Sequence, residues 1–345
     1  MAAPAMIEIE TLQNAVGIEP PAVYDGSKGS LFNDLVANDG WKPQIENIPD
    51  EYKEFRQSLE SNGYKHLSDV LNFTNPEHVL AVTKEYIEAG SQLVQTNTFN
   101  ANADSLSAAY EGVTSELVLD LNKQAARLAR QAVEESEKKI VVVGDVGPLV
   151  HFAKDGKLVK FPDALTHDEM KEFFAPQIQG LIEGGVDCIH IETMTQLGMV
   201  KAAVETVREI NPDIPIMVTM TFEAQPDSSY KTNTGVAVNT FVDYCIENGI
   251  SIFGANCGEG MDGAVGLMQE FTNAVDEKTP NHHPTLISKL NLGIDPSDLK
   301  DTDIENYTRN VYQAGAGIIG LCCGSTPRDI EVVASTLSDI SSSVN

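Results

Sequence analysis

The stretch HDEMKEFFAPQIQGLIEGGVDCIHIET, residues 167–193, contains one complete unit of the fold. Its first part carries apolar side chains three and four positions apart and stops on Gly184–Gly185, the pattern of an amphipathic helix closed by glycine. CIHIET (188–193) then reads as a short, nearly apolar strand that finishes on a carboxylate. The alternation recurs along the whole chain. Strands are expected at AVYDG (22–26), QLVQTN (92–97), IVVVGDV (140–146), IPIMVTM (214–220), SIFGANC (251–257), TLISKLN (285–291) and GIIGLCC (317–323). Helical periodicity appears in NPEHVLAVTKEYIEAG, SELVLDLNKQAARLARQAVEES, LGMVKAAVETVREI and ENYTRNVYQAGAG.

Near-continuous apolar strands are those of a parallel sheet covered on both faces. Eight strands, most of them followed by a helical stretch, predict an α/β fold of the (β/α)₈ TIM-barrel type. An open doubly wound sheet usually carries GxGxxG after its first strand, and no such fingerprint follows AVYDG. Residues 1–345 are read as one barrel domain with a polar insertion at about 38–72, expected to hold one short helix and to lie over the carboxyl ends of the strands.

Composition narrows the function classes. With 42% hydrophobic residues and no apolar run of the ~18 residues a membrane span needs, the chain reads as globular and not membrane-bound. Its 23 Lys plus Arg against 51 Asp plus Glu give a formal charge of −28, which disfavours nucleic acid because phosphate binding needs a basic footprint. The amino terminus shows no signal-peptide pattern, and five scattered cysteines fit a reducing compartment better than a disulfide framework, so a cytoplasmic location is expected.

In a barrel of this kind, the residues that end the strands form the site. Here they are Asp25, Thr96, Asn97, Asp145, Glu192, Thr193, Thr221, Asn256, Cys257, Asn291, Cys322 and Cys323. Three thiolates from two strand ends, Cys257, Cys322 and Cys323, can converge on one ion, and soft sulfur ligands favour zinc. Gly324 after the vicinal pair gives the backbone freedom to splay two neighbours toward one metal. The competing reading is plain packing or a vicinal disulfide. Cys188 and Cys245, inside a strand and a helix, read as small buried hydrophobes. Three protein ligands leave zinc a fourth position, where a substrate thiol loses its proton near neutral pH yet stays nucleophilic; the chemistry implied is alkyl transfer to sulfur.

These motifs together identify a resemblance. YDGSKGS, NFTNPEHVLAVTKEYIEAGSQLVQTNTFNAN, VGDVGP, LIEGGVDCIHIETM, VTMTF, FGANCG and IIGLCCGSTP make the chain similar to the homocysteine S-methyltransferases from about residue 22 to 335. The resemblance implies zinc (Zn2+) on Cys257, Cys322 and Cys323, and an acceptor ammonium held by Asp25 and Glu192. It also implies backbone amides near Gly26 and the hydroxyl of Thr96 for the acceptor's carboxylate. The plainer roles are an Asp-Gly turn for Asp25 and a strand-end ion pair for Glu192. Asn256 is either a loop orienter or an ordinary cap.

The implied reaction moves a methyl group from an onium donor, of the betaine or sulfonium type, to homocysteine, giving methionine. The aromatic cage of the animal betaine enzymes is in doubt, because its tyrosines correspond to Asn100 and Thr193. Trp41, Tyr52, Phe55 and Tyr64 of the insertion are the remaining candidates for one. SKLNLGI, with its lysine, resembles bacterial betaine-type members, and a single barrel leaves no room for folate and cobalamin domains. The alternatives are methyl exchange with a separate corrinoid protein and a non-catalytic zinc-binding barrel. The oligomeric state, including a homo-oligomer, is left open.

Overall fold

In a computed structural model of the chain, the residues described are 15–29, 31–32, 43–61, 68–149, 151–152, 158–159, 165–258, 260–279, 283–291 and 298–344. Eight parallel strands follow one another: β1 (Ala22–Val23), β2 (Leu93–Gln95), β3 (Val141–Val146), β4 (Cys188–Met194), β5 (Ile216–Met220), β6 (Ile252–Cys257), β7 (Thr285–Leu290) and β8 (Ala316–Leu321). They pair in the order β1-β8-β7-β6-β5-β4-β3-β2. The ring closes where Tyr24 bridges Leu93, with the Gln92 N–H donating to Val23 O at 2.9 Å and the Asp25 N–H to Leu93 O at 3.1 Å. The expected (β/α)₈ barrel is therefore present, with strand positions within a few residues of the sequence reading.

Helices α1 (Lys53–Ser61), α2 (Leu71–Thr74), α3 (Pro76–Glu88), α4 (Ala103–Ala109), α5 (Ser115–Ser136), α6 (His167–Gly184) and α7 (Leu197–Ile210) precede β5. After it come α8 (Val238–Glu247), α9 (Met261–Lys278), α10 (Asp301–Gln313) and α11 (Pro327–Val344). Their starts follow local chemistry. Thr114 accepts the Leu117 N–H at 3.2 Å, and Thr166 with Glu169 forms a reciprocal capping box. Gly185, in the left-handed region at φ 94°, ends α6 and turns the chain into β4. None of the described helices is long and apolar enough to cross a membrane.

The lumen is layered by the two-residue period of the strands. Toward the amino ends, Ala22, Leu93, Val143, Cys188, Met217, Ile287 and Ile318 form one buried apolar cluster. Two residues further along, Ala22 gives way to Tyr24, Leu93 to Gln95, Val143 to Asp145, Cys188 to His190, Met217 to Thr219 and Ile287 to Lys289, all of them buried. One period thus separates the hydrophobic plug from a polar floor.

The insertion has a core of its own. Two 3₁₀ turns, Ile45–Asn47 and Asp50–Tyr52, lead into α1, and Ile48, Tyr52, Phe55, Leu59 and Phe73 pack with Tyr110 and Leu117. Its last residues reach the strand ends: Asn72 Nδ2 donates to Asn97 O at 2.7 Å, and the Asn100 N–H donates to Asp69 Oδ1 at 3.0 Å.

Candidate metal and acceptor site

Cys257, the last residue of β6, has φ 58°, and Gly258 after it has φ 60°. A non-glycine residue in the left-handed region costs about 1 kcal/mol or more and is held there by its surroundings. Asn256 supplies that hold. Its Oδ1 accepts the Thr219 hydroxyl at 2.7 Å and the Thr193 N–H at 2.8 Å, while its Nδ2 donates to Thr193 Oγ1 at 2.6 Å. Thr193 is itself at φ 60°. Asn256 therefore ties the ends of β4, β5 and β6 together next to the cysteine, capping the Thr193 N–H as it does so.

Cys322 and Cys323 lie just past β8. The Cys322 N–H still donates to Leu290 O at 3.0 Å, and its carbonyl is capped by the Ser325 N–H at 3.2 Å and hydroxyl at 2.7 Å. Gly324, at φ 84°, makes the turn that lets the second thiol swing beside the first. The Cys257 and Cys323 sulfurs are 3.8 Å apart and those of Cys322 and Cys323 are 3.9 Å apart, with all three within 4.8 Å of one another. Bonds of about 2.3 Å to a tetrahedral zinc give sulfur–sulfur edges of about 3.8 Å, so the trio fits that ion. Asn291 Oδ1 accepts from the Cys257 thiol at 3.4 Å and the Cys323 N–H at 3.2 Å.

The thiol contacts on Cys257 pull both ways, Cys322 favouring its ionised form and Cys323 opposing it, and burial tips it up to about 12. Cys323 is also pushed up to about 12. Cys188 and Cys245 are buried and free, as expected of packing residues.

Below the sulfurs lies a cavity of about 210 Å³, lined by Lys28, Ser68, Thr96, Phe99, Asp145, Glu192, the three cysteines and their neighbours. It is smaller than the roughly 300–1,000 Å³ typical of drug-sized ligands and suits an amino-acid-sized molecule. A wider depression of about 550 Å³, between Glu51–Glu54 and Thr114–Asp120, lies outside the barrel and contains none of the strand-end residues.

Of the four residues expected to hold an acceptor, Glu192 and Thr96 line this cavity. Asp25 and Gly26 sit one layer deeper. Asp25 is 0% exposed, its Oδ2 accepts the Gln95 N–H at 3.0 Å, and Lys28 Nζ stands 3.2 Å from it. A Cβ on Gly26 would fall 2.3 Å from Ser325 Oγ and 2.8 Å from Tyr86 Oη, so glycine lets the chain pass between them.

The sequence reading gave no role to the two buried lysines or to the glutamine that joins them. Gln95 accepts from Lys28 on its carbonyl and from Lys289 on its side chain, and its Nε2 donates to Asp145 Oδ2 at 3.3 Å. Lys289 Nζ lies 3.6 Å from Glu192 Oε2 and 4.5 Å from the centre of the Tyr24 ring. Burial opposes the Lys289 ammonium, but the charges of Glu192 and Asp25 outweigh it and raise its pKa. Burial raises Asp25, Asp145 and Glu192, with Glu192 adding to the rise at Asp145 and lysines opposing it at all three. Burial also holds His190 neutral, 3.0 Å from the Tyr24 hydroxyl. A lysine inside the apolar run TLISKLN was the one visible signal of this network.

The insertion does not bring Tyr52 and Phe55 to the cavity as a cage. The Tyr52 ring stacks on Phe73 at 6.3 Å and its hydroxyl donates to Asp120 at 2.6 Å, while Phe55 meets Tyr110 edge-on at 5.2 Å. Apolar rings on a helix too short to bury them alone pack against the nearest face, here the start of α5. Trp41 and Tyr64 lie outside the described residues.

Comparison with known proteins agrees with the geometry. Three crystal structures of the homocysteine methyltransferase MmuM from Escherichia coli resemble this chain. The metallated form is 20% identical with a TM-score of 0.68, covering 92% of this chain and 96% of MmuM. The oxidised form gives 19% and 0.67, covering 91% and 95%, and the apo form 18% and 0.64, covering 94% and 99%. At these identities the likeness establishes the fold. The sequence itself matches the family described as homocysteine S-methyltransferase over residues 23–337, a span that contains the three cysteines, the cavity and every strand but the first residue of β1, and the chain belongs to that family.

Proposed function

We propose that the chain moves a methyl group from an onium donor, of the betaine or sulfonium type, to the thiol of homocysteine, giving methionine, at a zinc site made by Cys257, Cys322 and Cys323. The observation that carries this reading is the convergence of three sulfurs, at tetrahedral spacing, on the wall of a small polar cavity. A zinc ion bound there supplies Lewis acidity, so that a fourth, substrate sulfur is deprotonated near neutral pH and keeps its nucleophilicity.

The chain's own residues bind and align. Glu192 takes the acceptor's ammonium, Thr96 lines the wall beside it, and Asp25 acts from behind by fixing Lys28. Gly26 leaves room for the Ser325 and Tyr86 hydroxyls beside the end of the first strand. As the new sulfur–carbon bond forms, the methyl–onium bond breaks and its electron pair leaves with the neutral amine or thioether. That step needs no general base, and the cavity contributes chiefly by aligning the reactants.

A closed structural metal site is the weaker reading, because among the described residues no fourth cysteine, histidine or carboxylate joins the sulfur trio. The deciding experiment is a donor screen with homocysteine on zinc-loaded protein, scoring methionine by mass. X-ray absorption should gain one sulfur at zinc when homocysteine is added. An unchanged zinc spectrum together with no methionine from any donor defeats the proposal. Turnover with small-molecule donors alone removes the need for a corrinoid partner.

A further inference from the structure

Among the described residues, three buried carboxyl groups, Asp25, Asp145 and Glu192, meet two buried lysines, Lys28 and Lys289, with Asp145, Glu192 and Lys28 lining the cavity. Lys28 is paired with Asp25 at 3.2 Å and Lys289 stands 3.6 Å from Glu192. Asp145 is the carboxyl without a lysine. It is 1% exposed and lines the cavity, and its Oδ1 is buried with no hydrogen-bond partner. Glu192, on the same cavity, is already faced by the Lys289 ammonium and by the side chain of Asp145. A buried unpaired acceptor costs about 1–3 kcal/mol, more if charged, so the Asp145 oxygen on this wall marks the place of a missing donor.

Lys28 presents the opposite face. Its ammonium has three N–H donors, of which Gln95 O and Asp25 Oδ2 take two. Lys28 is 1% exposed and lines the cavity, so the third donor is left for whatever occupies it. Gln95 sets the spacing, taking Lys28 on its carbonyl and holding Asp145 with its side chain. One glutamine thus presents a cation and an anion to one small volume.

We propose that Lys28 and Asp145 form a clamp for the zwitterionic head of the acceptor, Lys28 taking the carboxylate and Asp145, beside Glu192, taking the ammonium. The inference rests on the acceptor proposed above, and it moves recognition from backbone amides near Gly26 to two side chains. A head group with opposite charges on one carbon is matched by opposite charges held on one residue. Thiols lacking either charge then lose one arm of the clamp.

The test is calorimetric binding of three thiols to zinc-loaded protein: homocysteine, 3-sulfanylpropylamine, which lacks the carboxylate, and 4-sulfanylbutanoate, which lacks the ammonium. K28M should weaken homocysteine and sulfanylbutanoate by about 10- to 100-fold and leave the amine unchanged; K28R should recover part of the loss. D145N should weaken homocysteine and the amine by a similar factor and leave sulfanylbutanoate unchanged. Because K28M strands a buried Asp25 carboxylate, the D25N/K28M double variant, which removes both charges, is run beside it. Equal losses for all three thiols, or no loss for homocysteine, overturn the clamp. Binding is read without a methyl donor, so a clamp that fails and a methyl transfer that fails are separate results.

Discussion

The two ends of the barrel lumen are built on the same strands and obey opposite rules. At the amino end, Leu93, Val143, Met217, Ile287 and Ile318 fill the interior with side chains that need nothing but neighbours. Two residues on, Gln95, Asp145, Thr219 and Lys289 occupy equally buried positions and need partners at defined distances. The lower layer stabilises the molecule. The upper layer is held up by it, with left-handed Cys257 and Thr193 and a buried Asp145 oxygen that has no partner. The comparison teaches that stability and chemistry are separated along the barrel axis by one strand period.

The largest expected effect falls at the upper end. Cys322→Ala should abolish stoichiometric zinc binding and reduce methionine formation to background, as read by metal analysis and product mass. Retention of both would erase the functional distinction between the two layers. At the lower end, Ile287→Ala should cost about 2–5 kcal/mol in denaturant unfolding while leaving zinc content and homocysteine affinity of the folded fraction unaltered. If zinc affinity fell in step with stability, the layers would not be separable.

Asp69 tests how far the cost of the polar end spreads into the insertion. Burial pushes its carboxyl up to about 6, while the Asn100 N–H and the Ser68 hydroxyl act in the other direction. A carboxyl raised from near 3.8 stabilises most below that value, and the contribution is lost as pH climbs through 6. Asp69→Asn should therefore gain on the parent protein between pH 4 and pH 6.5, by at most about 3 kcal/mol, in urea midpoints taken across that range. A gain that does not change with pH would show that the carboxyl ionises freely.

The smallest expected effect sharpens the comparison from inside the site. Asn256→Ala leaves all three sulfurs but frees Thr193 and the β6 end, and should weaken zinc about 10- to 100-fold in competition with a chelator. No change would reduce Asn256 to a packing residue.

Much of this was legible in the sequence for a physical reason. Strand and helix periods are local, so HDEMKEFFAPQIQGLIEGGVDCIHIET and its counterparts revealed a repeating unit, and a repeating unit of that length closes as a barrel. Glycines beside Cys257 and Cys323 could be read as turns because only the backbone is involved. The convergence of the cysteines was legible because strand ends in a barrel share one face.

What the sequence alone determined, then, is the barrel, the identity of the three sulfurs and the strand-end residues, among them Thr96, Asp145 and Glu192, that line the cavity. What only the tertiary structure decided is which charges face each other. Lys28 covers Asp25, Lys289 stands against Glu192 across two non-adjacent strands, Gln95 joins both lysines, and Tyr52 and Phe55 turn away into a core of their own. Periodicity is a property of neighbours along the chain, whereas the partner of a buried charge is set by distances between strands that no local pattern encodes.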